Sequence, residues 1–172
     1  MKTLIIAAWA AFSLSLSASA ADTSTKLTDV HLCCAGCVTG VEKAIGKVEG
    51  ATAVVDDDAG TVTITAPDTK TVQKAADALV AAGYFGKSSD PSIKVVSDNG
   101  AKGKKVQSLK VKDVHLCCGK CVSVVNKALG TVTGVSGNTA AKGVKSFEVT
   151  GDFNDKEVFV ALEKAGLAGK VE

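Results

Sequence analysis

At 172 residues and a net charge of +2, the chain is long enough for one ordinary domain or two small ones. Its basic residues are all lysine and are nearly balanced by acids, while aromatic residues make up 4%. A chain so balanced and so poor in aromatics offers neither the clustered basic face nor the stacking surface that nucleic acid requires, and nucleic-acid binding is excluded on that ground.

Residues 1–20 have the three-part form of a secretory signal peptide. Lys2 supplies the positive start, Leu4 to Leu16 an apolar run, and Ala18-Ser19-Ala20 a small-x-small cleavage site. The apolar run is shorter than the roughly 20 residues needed to cross a bilayer. The expectation is therefore a periplasmic or secreted protein with no membrane span once the signal is cleaved.

Along the rest of the chain, Thr28 to Leu32 alternates, which predicts a strand with Val30 and Leu32 inward and Asp29 and His31 on its other face. A cysteine loop follows. Val38, Val41, Ala44, Ile45 and Val48 then recur at helical spacing, ending near Gly50. Thr52 to Asp56 and Thr61 to Thr65 are β-branched runs around Asp57-Asp58-Ala59-Gly60, which predicts a hairpin. The adjacent acids Asp56, Asp57 and Asp58 read as a solvated turn and not as a hard-ion site. Thr69 or Thr71 is expected to cap a helix through Val72, Ala75, Ala76, Leu79 and Val80, and Ile93 to Val96 to form a last strand.

Residues 97–105 contain Asp98-Asn99-Gly100 and Lys102-Gly103-Lys104-Lys105 without apolar periodicity and read as a flexible linker. Beyond it the order repeats: a strand within Val106 to Leu116, a helix from Cys121 to Val132, and a hairpin of Val135–Thr139 with Val144–Thr150. A helix through Val158, Phe159, Leu162 and Ala165, capped by Asn154 or Asp155, and a closing segment Leu167–Val171 complete it. The expected organisation is a signal at 1–20, a first domain at 25–96, a linker at 97–105 and a second domain at 106–172. The fold class is α+β: two tandem ferredoxin-like βαββαβ domains, each with an antiparallel sheet under two helices.

The duplication is visible residue by residue. Asp29-Val30-His31-Leu32-Cys33-Cys34-Ala35-Gly36-Cys37 returns as Asp113-Val114-His115-Leu116-Cys117-Cys118-Gly119-Lys120-Cys121. Over Asp29–Gly50 and Asp113–Gly134 the two copies share fourteen of twenty-two positions, and the identities run on into the helix. The separation exceeds that of stacked solenoid units, so the copies are two separate small domains.

All six cysteines and both histidines of the chain fall inside these two phrases. Two clusters of three thiols are a poor disulfide framework, which would staple distant segments in pairs. In each copy a C-x-x-C pair, Cys34/Cys37 and Cys118/Cys121, is set at the start of a helix, where free N–H groups and the positive dipole end favour thiolate. Thiolate is the form that binds metal, and soft sulfur selects Cu(I), zinc and similar ions. Cys33 and Cys117 are either third ligands of a trigonal site, suited to mercury or Cu(I), or small residues at a strand end. His31 and His115 are either structural or the fourth members of a tetrahedral zinc-type set. Lys120 in the second loop, where the first has Gly36, adds a cation beside the thiols.

The residues taken alone leave three uses open. One is binding of a soft metal ion; another is a thiol–disulfide oxidoreductase working through the C-x-x-C pairs; the third is an interaction module whose cysteines only staple loops. No Ser/His/Asp set, acid pair or glycine-rich phosphate loop offers a hydrolytic enzyme.

Leu32-Cys33-Cys34-Ala35-Gly36-Cys37, followed by Val41-Glu42-Lys43-Ala44-Ile45 and Val48-Glu49-Gly50, resembles the heavy-metal-associated domain family. Val54, Thr61 to Thr65 and Ala81-Ala82-Gly83-Tyr84 extend the resemblance over nearly all of the first copy. It implies a βαββαβ fold that is not an enzyme and that binds a soft ion, Cu(I) foremost with zinc or mercury as others, through Cys34 and Cys37 and through Cys118 and Cys121. It implies a metal transporter or another metal-binding domain as partner, and periplasmic mercury-binding proteins as the nearest exported analogues. The family's Gly-Met before the loop is replaced by His31-Leu32 and His115-Leu116, and Cys33 and Cys117 are additions to its pattern. Tyr84 stands at a position that is often aromatic in pump domains and mercury binders, where the second copy has Leu167.

Overall fold

The computed structural model describes residues 22–172. The signal peptide expected at 1–20 lies outside the described residues. Two units follow, each built in the order βαββαβ. The first contains β1 (Thr23–Thr28), α1 (Ala35–Ile45), β2 (Thr52–Asp56), β3 (Thr61–Ala66), α2 (Thr69–Ala81) and β4 (Lys87–Ser88). The second contains β5 (Lys105–Lys112), α3 (Gly119–Leu129), β6 (Val135–Asn138), β7 (Ser146–Asn154), α4 (Asp155–Lys164) and β8 (Lys170–Val171). The sheets are antiparallel, with strand orders β2-β3-β1-β4 and β6-β7-β5-β8. This is the ferredoxin-like α+β arrangement expected of the sequence.

One face of each sheet is covered by its two helices. In the first unit Leu27, Val62 and Ile64 meet Val41 and Ile45 of α1 and Val72, Ala75 and Leu79 of α2, all fully buried. In the second, Val111, Phe147, Val149 and Phe153 meet Val125, Leu129, Val158, Phe159 and Leu162. The helical spacing of the apolar residues in both copies is thus the spacing of their buried faces. The first hairpin falls where its β-branched runs predict, pairing Thr52 with Thr65 and Asp56 with Thr61. A side-chain carboxylate caps α2, but it belongs to Asp68 and not to Thr69 or Thr71: Asp68 accepts from the Thr71 N–H at 2.8 Å. Asn154 caps α4, accepting from the Lys156 N–H at 3.0 Å.

Two expectations about the strands are corrected. The first strand ends at Thr28, and Asp29 to Cys34 is a loop, as is Asp113 to Cys118 in the second unit. Asp29 and Asp113 adopt φ of 60° and 62°, which turns the chain out of the sheet just where the alternation suggested it continued. The last strand of the first unit is Lys87–Ser88, paired with Leu27 and Thr28, and Ile93 to Val96 is not a strand. The chain leaving α2 reaches the edge of β1 within six residues, so the apolar run at 93–96 comes too late to pair; Ile93 is buried in the core instead.

The segment read as a flexible linker is fastened to the second unit. Asp155 accepts from the N–H groups of Lys102 and Lys104 at 2.9 and 2.8 Å, and Val171 donates to the Asn99 carbonyl at 2.8 Å. The two units also touch directly. Phe85 N–H donates to the Gly166 carbonyl and Ala168 N–H to the Gly83 carbonyl, each at 3.0 Å, around a Tyr84–Leu167 bridge. The same stretch of each unit thus hydrogen-bonds its counterpart, related by an approximate two-fold. Gly83 and Gly166 have φ of +91° and +78°, and each backs onto the other unit's cysteine-loop entry, where no side chain fits.

Candidate metal centre

The docking of the two units brings the two cysteine loops face to face. In each unit the loop leaves the sheet at the turned aspartate and enters a helix at an extended N-cap, Cys34 or Cys118. Neither N-cap side chain makes the close capping hydrogen bond of a serine or aspartate cap. One turn on, Cys37 and Cys121 point inward and are fully buried.

The six sulfurs form one cluster. Within the units, Cys34 lies 4.0 Å from Cys37 and Cys118 lies 3.9 Å from Cys121. Across the units the contacts are shorter. Cys33 reaches Cys118 at 3.4 Å and Cys121 at 3.5 Å, while Cys117 reaches both Cys34 and Cys37 at 3.5 Å. Cys33–Cys37 at 3.7 Å and Cys117–Cys121 at 3.6 Å are further contacts within each unit, and Cys37–Cys121 at 4.0 Å joins the two buried thiols across the units. All six are free thiols, far outside the roughly 2.05 Å of a disulfide bond.

So many thiols in one small space cannot ionise independently. Cys37 is held well below the usual thiol range, above all by a hydrogen bond from Cys121, whose own loss of a proton is pushed up by the same contact. The buried pair therefore shares one proton. Burial pushes Cys33 up to about 12 and raises Cys117 as well. Cys118 is lowered to about 6, first by the Cys121 backbone N–H of the helix start and then by the Cys33 side chain. A ready anion is thus surrounded by protonated neighbours that a cation would discharge.

The histidines cross between the units as the cysteines do. His31 N–H donates to the Gly166 carbonyl at 3.2 Å, and a ring nitrogen of His31 lies within 4.8 Å of the Cys33 and Cys121 sulfurs. Burial lowers the pKa of His31, favouring the neutral ring. His115 falls in no comparable ligand group among the described residues. Its ring stacks on Tyr84 at 4.5 Å between centroids, and Tyr84 donates to the Cys37 carbonyl at 3.0 Å. The Nε2 atoms of both histidines are buried without a partner.

Every candidate site residue except His115 thus belongs to a group of ligand atoms within 4.8 Å of one another. Tyr84 acts from the first unit on the second unit's histidine, a role that its position after α2 gave no sign of. Cys117 also borders a cleft of about 510 Å³ lined by Ala81, Ala82, His115 and Val144, so the buried cluster has an open side. Among the described residues no helix is long and apolar enough to cross a membrane.

No curated protein matches the chain. Among solved structures, a copper-binding domain from HMA7, a P-type ATPase, is 21% identical, with 39% of this chain and 95% of that one covered and a TM-score of 0.36. The N-terminal soluble domains of Bacillus subtilis CopA are 16% identical, covering 89% and 95% at a TM-score of 0.32. The first two RRM domains of yeast poly(U)-binding protein Pub1 are 10% identical, covering 87% and 98% at 0.24. The family model of the heavy-metal-associated domain matches residues 28–85, the stretch that holds Cys33, Cys34, Cys37 and Tyr84. Residues 28–85 belong to the heavy-metal-associated domain family.

Proposed function

We propose that this chain is an exported protein that binds soft metal ions, Cu(I) first among them, and that sequesters or delivers them outside the cytoplasm. The observation that carries the reading is the meeting of two C-x-x-C pairs, each at a helix start, in one cluster of six free thiols. Sulfur-only coordination in a pocket shielded by protein suits Cu(I), which prefers few soft ligands, and accommodates Zn(II) or Hg(II) as competitors. Cys34, Cys37, Cys118 and Cys121 are the primary ligands in this reading, with Cys33, Cys117 and His31 in reach of the same ions.

The second unit, residues 106–172, is a second domain of the same kind. Its fourteen shared positions with the first copy and its identical strand order support this. Export rests on the signal-like sequence of residues 1–20. A metal transporter or another metal-binding domain is the fitting recipient, because passing a thiolate-bound ion requires a partner with thiols of its own. An oxidoreductase is less well supported, because no thioredoxin-type pattern surrounds either C-x-x-C pair.

The test is anaerobic titration of the reduced protein with Cu(I) against a chromogenic chelator, with Zn(II) and Hg(II) in competition. Tight Cu(I) uptake is expected, and its disappearance in the Cys34→Ser/Cys37→Ser/Cys118→Ser/Cys121→Ser variant. Undiminished binding in that variant refutes the ligand assignment. Fractionation of cells making the chain with and without residues 1–20 tests export.

A further inference from the structure

We propose that the leading cysteines are exchanged between the units, so that Cys33 completes a three-thiolate Cu(I) site with Cys118 and Cys121 while Cys117 completes its twin with Cys34 and Cys37. The inference rests on the reading that the chain binds Cu(I), and it assigns the two cysteines that the C-x-x-C pattern leaves over.

The distances decide between a crossed site and a local one. In the crossed triangles the edges are 3.4, 3.5 and 3.9 Å for Cys33, Cys118 and Cys121, and 3.5, 3.5 and 4.0 Å for Cys117, Cys34 and Cys37. Metal–sulfur bonds of about 2.3 Å set three sulfurs about 4.0 Å apart around a planar ion, so either triangle needs only a slight expansion to take one. In the local alternative Cys33 comes to 3.7 Å from Cys37 and Cys117 to 3.6 Å from Cys121. Each leading cysteine is therefore closer to both members of the opposite pair than to the buried cysteine of its own.

The backbone explains why. Each leading cysteine sits on the loop that the other unit's Gly83 or Gly166 packs against, so the docking surface itself carries the sulfur across. The two crossed triangles share no sulfur and face each other through the Cys33–Cys37, Cys117–Cys121 and Cys37–Cys121 contacts. Two Cu(I) ions bound in this way lie side by side at the centre of the interface.

Charge balance is consistent with this. Each Cu(I) that enters displaces protons from up to three thiols to solvent, and no electron moves. The remaining negative charge faces the N-terminal ends of α1 and α3, which bear the positive ends of their dipoles. A ring nitrogen of His31 stands at the Cys33–Cys121 edge of one triangle. Neither unit on its own has a complete site, so loading with metal clamps the units together.

The experiment isolates one pair at a time. In a Cys34→Ser/Cys37→Ser background the chain keeps Cys118, Cys121 and both leading cysteines. Adding Cys33→Ser there is expected to weaken Cu(I) at least tenfold in chelator competition and to lower the sulfur count per copper from three to two by X-ray absorption. Adding Cys117→Ser is expected to change affinity less than threefold. The mirror background, Cys118→Ser/Cys121→Ser, should reverse the two roles and guards against one variant failing to fold. The fully loaded wild type should show three sulfurs per copper and a short copper–copper path. Equal losses from both substitutions, a larger loss from the local one, or two sulfurs per copper in the wild type overturns the exchange. A wild type that takes up no Cu(I) at all overturns the functional reading beneath it.

Discussion

Tyr84 of the first unit lies flat against His115 of the second, ring centroids 4.5 Å apart and planes 28° from parallel, while its hydroxyl donates to the carbonyl of Cys37. One side chain thus joins the first unit's cysteine loop to the second unit's histidine. Tyr84 is fully buried, and Gly40 on α1 leaves the space its hydroxyl occupies. The matching position of the second unit holds Leu167, which pairs with Tyr84 across the bridge, so the two-fold is broken at this point. The lid over the cluster is aromatic on one side and aliphatic on the other.

Removing the Tyr84 hydroxyl tests how much that link contributes. Tyr84→Phe keeps the ring on His115 and loses one buried hydrogen bond, with an expected cost of about 0.5–1.5 kcal/mol. Tyr84→Leu, which copies the second unit, also loses the stacked ring and leaves a void, at an expected cost of about 2–4 kcal/mol. Urea midpoints of the metal-free, reduced protein at constant m-value measure both. Equal midpoints for the two variants would show that the stacking on His115 contributes nothing.

The glycines at the domain contact give a sharper test of docking. A Cβ on Gly83 would lie 2.5 Å from the Asp113 carbonyl oxygen and the His115 nitrogen; one on Gly166 would lie 2.4 Å from the His31 nitrogen. Gly143 has a similar φ of +77° but nothing within 4 Å of its would-be Cβ. Gly143→Ala therefore pays only the left-handed backbone penalty of about 1–2 kcal/mol. Gly83→Ala and Gly166→Ala should lose clearly more and, in small-angle scattering, show a larger radius of gyration as the units part. If all three lose alike and scatter alike, the contact between the units does not depend on these glycines.

Much of this was legible in the sequence, but unevenly. The duplication, the helix faces and the first hairpin were plain because apolar spacing and β-branched runs report burial directly. The loop at Asp29 was misread as strand because Val30 and Leu32 really are buried. Their burial comes from core packing beyond the end of the strand, not from continued pairing, and an alternating pattern cannot tell the two apart. The crossing of Cys33 and Cys117 had no sequence signal at all. It follows from Gly83 and Gly166, which in sequence look only like helix terminators, and from a linker that Asp155 fastens to one unit.

Thiol reactivity should single out one cysteine. Cys118 is lowered to about 6 from an ordinary value of 9.0, chiefly by the Cys121 N–H at the helix start. In the reduced, metal-free protein its alkylation by iodoacetamide should already be near its maximum at pH 7, with a midpoint near 6. The sign for stability follows from a folded value below the unfolded one. The contribution of Cys118 is complete above about pH 9 and is lost as pH falls through about 6. Mass-spectrometric mapping of the alkylated peptides checks the midpoint, and a Cys118 profile rising only above pH 8 would contradict the helix-start effect.

Asp155 sets the acid limit of the fastened linker. Burial alone would raise its pKa, but hydrogen bonds from the Lys102 and Lys104 N–H groups outweigh burial and bring it below the ordinary value. A depressed folded value means that the stabilisation is present in full above the unfolded pKa, about 3.9, and is lost as pH falls through the lower folded one. Asp155→Asn replaces one accepting oxygen by a donor and should cost about 1–3 kcal/mol at pH 7, because it leaves a backbone N–H facing another donor. The amides of Lys102 and Lys104 should then exchange faster with solvent. As pH falls from 7 toward 3, the urea midpoint of the wild type should drop more steeply than that of the variant, and the two should converge at the acid end. Midpoints that stay parallel over that whole range would mean that the Asp155 carboxylate does not hold the linker in place.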